Sequence, residues 1–301
     1  MRPLLDHTIS VEDISRLIGI EIDLDPALMF SGATSSDSDV VEGDLFLAYP
    51  GEKTHGARFA SSALSRGARA ILTDVEGAQI ADGIPVIVAP HARTAGALIS
   101  ATLYAKPMQE MISIGITGTN GKTTVSTLLY QIFGAVGRET GLIGTVETRI
   151  GAEVVKSSRT TPEATELQAL AAVMRERHMR HLVMEVSSHA MVLHRIQGAH
   201  FAFVGFTNLS QDHLDFHKSI EDYFAAKARL FTNQFTKLCI INRDDVRGSL
   251  LIDTISKDKE LCIESFGMSD AKAVHADASK ISFDWQGQKI ESLMGGNFNV
   301  M

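Results

Sequence analysis

Nine residues, Ile116-Thr-Gly-Thr-Asn-Gly-Lys-Thr-Thr124, constrain this chain more than any other stretch. An apolar run from Met111 to Ile116 enters a glycine-bearing turn, and Lys122, Thr123 and Thr124 then open a helix. Small residues let backbone N–H groups face an anion, and the helix N-terminus adds the positive end of its dipole. Lys122 brings a point charge to the terminal phosphates of a nucleotide, and Thr123 offers a hydroxyl to Mg²⁺. The spacing departs from the Walker pattern, which wants four residues between its glycines. Gly115 to Gly121 encloses five and Gly118 to Gly121 encloses two. The stretch is predicted to be a variant phosphate loop for ATP; the plain alternative is a glycine turn between strand and helix.

A loop of this kind needs a covered parallel sheet around it, and the chain is long enough to supply one. At 301 residues two domains are expected, and 45 % hydrophobic content can fill their cores. The formal charge of −8, with no basic run, argues against a nucleic-acid partner. No run of 18 apolar residues predicts a membrane span, and the N-terminus lacks the apolar core of a signal peptide. Cys239 and Cys262 lie in apolar strand-like runs and read as reduced core residues of a cytoplasmic protein.

The predicted fold class is α/β, with a small N-terminal unit over residues 1–106 and a central, mostly parallel sheet over 107–301. In the first, Asp44–Tyr49, Ala70–Thr73 and Pro85–Ala89 read as strands, with helices over Arg58–Arg66 and Thr94–Tyr104. Lys106-Pro107 breaks the pattern, because the residue before proline is pushed out of helix. In the second, Ile112–Ile116, Leu182–Val186, Phe201–Phe206 and Leu238–Ile241 read as strands alternating with helices. Thr161 is expected to cap a helix with Pro162 in its first position, burying Leu167, Leu170, Ala171 and Met174 on one face. Past residue 260 a hairpin is predicted, Ile281–Trp285 and Lys289–Leu293, turned at Gly287.

Ligands of open parallel sheets bind beyond the carboxyl ends of the strands, and chemistry-bearing residues collect there. Glu185 sits in a run that otherwise reads as a buried strand; its charge needs a metal, ordered water or a structural salt bridge. Ser187-Ser188-His189 follows it, without the Gly-x-Ser-x-Gly elbow of a serine hydrolase. Thr207-Asn208-Leu209 leads into Asp212-His213-Leu214-Asp215-Phe216-His217, dense enough in ligating residues for a metal and equally readable as a polar loop. Ser219 and Asp222 resemble a capping box for a helix whose inward face carries Ile220, Tyr223, Phe224 and Phe231. Lys227 falls on that same face. It either snorkels to solvent or stays buried and neutral, able to add CO₂ and become an anionic carbamate. In the N-terminal unit, Ser35-Ser36-Asp37-Ser38 and Gly51-Glu-Lys-Thr-His-Gly56 are polar loops able to hold the hydroxyls of a sugar or nucleotide.

Together these pieces resemble the Mur ligase family across essentially the whole chain. The segments that carry the likeness are Gly43–Ala48 with Gly51–Gly56, the loop 117–124, Glu-Val-Ser-Ser-His (185–189), Thr-Asn-Leu-Ser-Gln-Asp-His-Leu-Asp (207–215) and Tyr-Phe-Ala-Ala-Lys (223–227). The resemblance implies ATP phosphates on Gly118, Thr119, Asn120, Gly121, Lys122, Thr123 and Thr124. It implies Mg²⁺ contacts from Thr123, Glu185, His213 and a carbamylated Lys227. Lys122, Lys227, Glu185 and His213 would be the catalytic residues. Ser38 matches a position near the uridine nucleotide, and Thr160, Thr161, Ser187 and Arg195 match contacts to the muramoyl-peptide. Asp39 and Leu193 depart from residues common at their positions.

The implied activity is ATP-dependent amide formation in peptidoglycan precursor synthesis, in the branch that adds a third amino acid to UDP-N-acetylmuramoyl-dipeptide. A monomer is expected. The final-dipeptide branch and folylpolyglutamate-type synthetases are the alternatives. Gly296-Asn-Phe-Asn-Val300 looks like the lead into a third, Rossmann-like domain of the family, which the 301 residues do not include. The chain taken alone is therefore also readable as a binding fragment without turnover.

Overall fold

A computed structural model describes residues 1–4, 7–51, 53–157 and 159–296. Glu52 of the polar loop Gly51–Gly56 and Asn297–Val300 of the terminal segment lie outside the described residues.

The N-terminal unit holds four parallel strands in chain order, Gly32–Thr34, Asp44–Leu47, Ala70–Thr73 and Val86–Val88. Asp44–Leu47 and Ala70–Thr73 are buried at every position, as expected for strands covered on both faces. The predicted helix over Arg58–Arg66 is shorter. A 3₁₀ turn, Gly56–Phe59, precedes a helix over Ala60–Ser65.

The central sheet has eight strands, in the order Glu153–Lys156, Glu147–Ile150, Thr140–Ile143, His181–Glu185, Ile112–Thr117, Phe203–Phe206, Leu238–Asn242 and Cys262–Phe266. The six from Thr140–Ile143 onward are parallel, and an antiparallel hairpin extends one edge. Ile112–Thr117 lies inside the sheet, so the phosphate loop leaves from its middle. Cys239 is buried, but Cys262 is exposed on the edge strand, which corrects the reading of both cysteines as core. A three-stranded antiparallel sheet follows. It contains the predicted hairpin, turned at Gly287 (φ +80°), plus the unforeseen strand Lys272–Ala276.

The junction between units is the helix Ala164–Glu176. Ten of its thirteen residues are buried. Leu167, Leu170, Ala171 and Met174 pack on the central sheet, as the spacing predicts. Ala169 and Ala172 join the N-terminal core with Ile99 and Leu103 of the helix Ala92–Leu103. The alanine side of the helix is therefore an interface and not a solvent face. No helix among the described residues is long and apolar enough to cross a membrane.

Candidate active site

Strand Ile112–Thr117 ends at the predicted loop, and helix Lys122–Ala135 begins after it with left-handed Gly121 as its N-cap. Gly118 has φ +146°, and a Cβ there would lie 1.9 Å from Thr207 Oγ1. Only glycine satisfies both the angle and the space. The end of the next strand bolts the loop in place. Asn208 accepts from the Thr119 amide through its carbonyl (2.8 Å) and from the Asn120 amide through Oδ1 (2.9 Å). Thr207 Oγ1 and Asn208 Nδ2 both donate to the Asn120 carbonyl (2.7 and 3.2 Å).

This refines the expectation that the whole loop faces phosphate: the Thr119 and Asn120 amides are already committed. The amides of Lys122, Thr123 and Thr124 have no acceptor among the described residues, and no side chain caps the helix. They are the donors left for an anion.

Two lysines meet beneath the loop. Lys122 Nζ donates to the carbonyls of Gly118 and Thr119, both at 2.9 Å. Lys227 Nζ donates to the same Gly118 carbonyl at 2.8 Å. Lys227 is 1 % exposed and lies over the Tyr223 ring at 4.6 Å, so it does not snorkel. Burial, and then the nearby charge of Lys122, lowers its pKa to about 7, while Asp212 opposes the shift. Burial lowers Lys122 as well, against Glu185 and Asp212.

Glu185 is fully buried and makes no ion pair among the described residues, which removes the salt-bridge reading. Thr123 Oγ1 donates to Oε1 at 3.0 Å, the Thr145 amide donates to Oε1 at 2.9 Å, and the Thr145 hydroxyl donates to Oε2 at 3.0 Å. A buried carboxylate satisfied only by neutral donors, beside a threonine hydroxyl, is an all-oxygen set that suits a hard divalent cation. Thr145 was not foreseen; its signal is a hydroxyl directly after Gly144 at a strand end.

His213 stands apart from that pair. It is exposed, left-handed (φ +53°), with its ring 4.9 Å from His189 and 6.1 Å from Tyr223. Among the described residues no three His, Cys, Asp or Glu side chains are close enough to hold a metal. His217 of the same loop turns inward instead. Its Nε2 lies 2.9 Å from Ser188 Oγ, both residues being buried, so a serine–histidine contact exists out of solvent reach and with a different histidine than His189. Tyr223, foreseen only as an apolar-face residue, places its hydroxyl 3.2 Å from Thr119 Oγ1.

The four positions expected near a peptide come together. Thr161 does not cap the junction helix, which starts at Ala164 with Glu163 as its N-cap. Its hydroxyl instead donates to the Glu185 carbonyl (2.9 Å) and accepts from the Ser187 amide (3.1 Å), tying two strand-end segments together. Thr160 Oγ1 lies 3.0 Å from the Thr145 hydroxyl. Arg195 reaches the Thr161 carbonyl (3.4 Å) and forms an ion pair with Glu163 (2.9 Å).

Two cavities flank these residues. One, of about 530 Å³, lies between the N-terminal unit and the start of the junction helix, lined by Ser36, Asp37, Thr54, Arg93, Arg159 and Glu163 among others. Ser38 is not in its wall; its hydroxyl lies 2.8 Å from that of Ser36, which is. Asp39 does line it. The other, of about 490 Å³, is mostly apolar and runs from Asn120, Gly121 and Thr124 along Ile116, Leu129, Phe203 and Ile240 to Phe266.

Comparison with known proteins agrees with this geometry. Residues 116–301 match the model for the Mur ligase middle domain, and residues 34–106 match that for the Mur ligase family, catalytic domain. The chain is 46 % identical over 274 residues to a UDP-N-acetylmuramoyl-L-alanyl-D-glutamate–2,6-diaminopimelate ligase of Streptomyces avermitilis, covering 90 % of this chain and 51 % of that protein. It is 42 % identical over 241 residues to a UDP-N-acetylmuramyl-tripeptide synthetase of Leifsonia xyli, covering 79 % and 47 %. A solved UDP-N-acetylmuramoyl-L-alanyl-D-glutamate–2,6-diaminopimelate ligase superposes with a TM-score of 0.80 at 25 % identity, covering 97 % of this chain and 61 % of that one. The chain thus spans about half the length of the curated relatives it matches. With the variant loop, the strand-end residues and both family models in register, the chain belongs to the Mur ligase family.

Proposed function

We propose that this chain is the nucleotide- and precursor-binding part of an ATP-dependent amide ligase of peptidoglycan synthesis. The ligase joins the third amino acid, diaminopimelate or lysine, to UDP-N-acetylmuramoyl-L-alanyl-D-glutamate. One observation carries the reading: two lysines and a buried threonine–glutamate pair converge on a single phosphate loop, from which a cavity of about 490 Å³ opens. The relatives' names, diaminopimelate ligases for the most part, favour diaminopimelate as the added residue. ATP and a UDP-linked precursor as co-substrates imply a cytoplasmic location.

The reaction has two steps. An oxygen of the precursor's terminal carboxylate attacks the γ-phosphorus of ATP, ADP leaves, and an acyl phosphate forms. The amine of the incoming residue then attacks the acyl carbon, and phosphate leaves as the amide bond closes. Lys122 and the amides that begin the loop helix stabilise charge on the transferring group, mainly by position and electrostatics. Thr123 and Glu185 would hold Mg²⁺, which when bound neutralises phosphate charge. The family resemblance would add His213 and Lys227 as its carbamate to that set, and His213 would have to move inward to join it. A buried amine with no carboxylate partner is suited to that modification, since its neutral form adds CO₂ with loss of one proton. Thr160, Thr161, Ser187 and Arg195 would orient the peptide end, and Ser36, with Ser38 hydrogen-bonded behind it, would border the nucleotide.

The chain is expected to bind both ligands. Isothermal titration of ATP and of the UDP-linked dipeptide tests this. Binding of both supports the reading, and binding of neither overturns it.

A further inference from the structure

Between the 530 Å³ cavity and the Thr161–Ser187 cluster stands one carboxylate, Glu163, which the preceding reading leaves without a role. Its two oxygens are divided between two units. Oε2 pairs with Arg93 Nη1 (3.1 Å), from the helix Ala92–Leu103 of the N-terminal unit. Oε1 pairs with Arg195 Nη2 (2.9 Å), which follows the short helix Ser188–Val192 of the central unit. All three side chains are mostly buried, with 23, 14 and 11 % exposure for Arg93, Glu163 and Arg195.

Each arginine is also held from its far side. Arg93 donates to the Pro50 carbonyl (3.0 Å) and lies 4.8 Å from the centre of the Tyr49 ring. Arg195 reaches the Thr161 carbonyl, and its Nε is buried without a partner among the described residues. Arg159 brings a third positive charge to the same cavity wall. Removing the carboxylate would leave like charges facing one another in a poorly hydrated site, each guanidinium then held only from its far side.

We infer that Glu163 is a positioning residue that aligns Arg93 and Arg195 into one continuous track from the nucleotide cavity to the acyl-acceptor end, so that the peptide arm of the precursor is read across both units. The inference rests on the proposed ligase reading and adds a residue to it. A charged pair held in place before binding is worth more to an anionic ligand than two mobile arginines, because the cost of ordering them is already met.

The test uses the 301-residue chain and three titrants: UDP, UDP-N-acetylmuramoyl-L-alanyl-D-glutamate and ATP. In Glu163→Gln, which keeps shape and loses charge, the preference for the dipeptide ligand over UDP falls about tenfold, while ATP affinity stays within about twofold. Arg93→Met shows the same selective loss, and combining it with Glu163→Gln costs no more than either change alone. Arg93→Met carries the same prediction if the Gln variant does not fold. Wild-type preference retained in the variants, strictly additive losses, or parallel loss of ATP and precursor binding each overturn the positioning role. A wild-type chain that binds the dipeptide ligand no better than UDP overturns the ligase reading itself.

Discussion

Lys122 and Lys227 donate to the same acceptor, the carbonyl of Gly118, at 2.9 and 2.8 Å. They come from helices 105 positions apart in the chain, and two ammonium groups on one carbonyl oppose each other's charge. Lys122 is part-buried and Lys227 almost fully so; burial lowers the pKa of both, that of Lys227 to about 7. On the proposed reading the two lysines would take different tasks, Lys122 as a cation for phosphate and Lys227 as an amine.

On the proposed reading, Lys122→Ala in the complete ligase would remove the cation from the transferring phosphoryl group. Turnover is expected to fall by about 10²–10³-fold or more. Steady-state release of ADP measures it, and near-normal rates would contradict the role.

Lys227→Ala would remove the amine proposed to form the carbamate and leave a hole beside Tyr223 and the Gly118 carbonyl. Formate or acetate at high concentration is expected to restore part of the activity, since either supplies the missing anionic oxygens. No recovery at any concentration would count against the carbamate.

Gly118→Ala combines a left-handed backbone with a Cβ set 1.9 Å from Thr207 Oγ1. A strain of about 1–3 kcal/mol is expected from the backbone alone, and the loop must shift to relieve the clash. Differential scanning calorimetry reads the stability and titration with ATP reads the loop; a variant unchanged in both would show that the loop does not need this geometry.

Asn208→Ala deletes two hydrogen bonds to Asn120 while touching no lysine. ATP affinity is expected to drop about tenfold with little loss of global stability, the cost of two bonds that orient rather than support. Equal ATP affinity in variant and wild type would mean that the loop holds its shape unaided.

His217 is buried, and burial holds its pKa below the ordinary histidine value, opposed by Asp222. The unfolded chain then binds a proton that the folded one resists, so stability is full above about pH 6.5 and declines as pH falls toward the depressed folded value. Thermal midpoints of wild type and His217→Asn between pH 5 and 8 test the sign. The wild type should lose more on acidification than the variant, and parallel curves would refute the assignment.

Much of the site was readable in one dimension because its elements are local. The phosphate loop is a turn whose glycines, lysine and threonines act within nine residues, and the strand before it is one apolar run. The junction helix was also visible through its 3.6-residue spacing. Thr161 shows where local rules mislead: Thr-Pro-Glu is a good helix start, yet the hydroxyl has a stronger partner in the Glu185 carbonyl 24 residues away. The core reading of Cys262 fails for the same reason, and the inward turn of His217 was not legible at all, since the residue type does not say which strand lies at the edge or which face is already filled.

Sequence alone determined that an anion-binding turn follows a buried strand, that Lys227 lies on the apolar face of its helix, and that Glu185 is a charge inside a strand. Those are consequences of period, propensity and the cost of burying charge. Only the tertiary structure decided that Lys227 points at Gly118 and not at solvent, that Asn208 takes the Thr119 and Asn120 amides, and that Glu163 joins arginines from two units. Contacts between segments far apart in the chain depend on strand order and close packing, and neither is written in the spacing of any single segment.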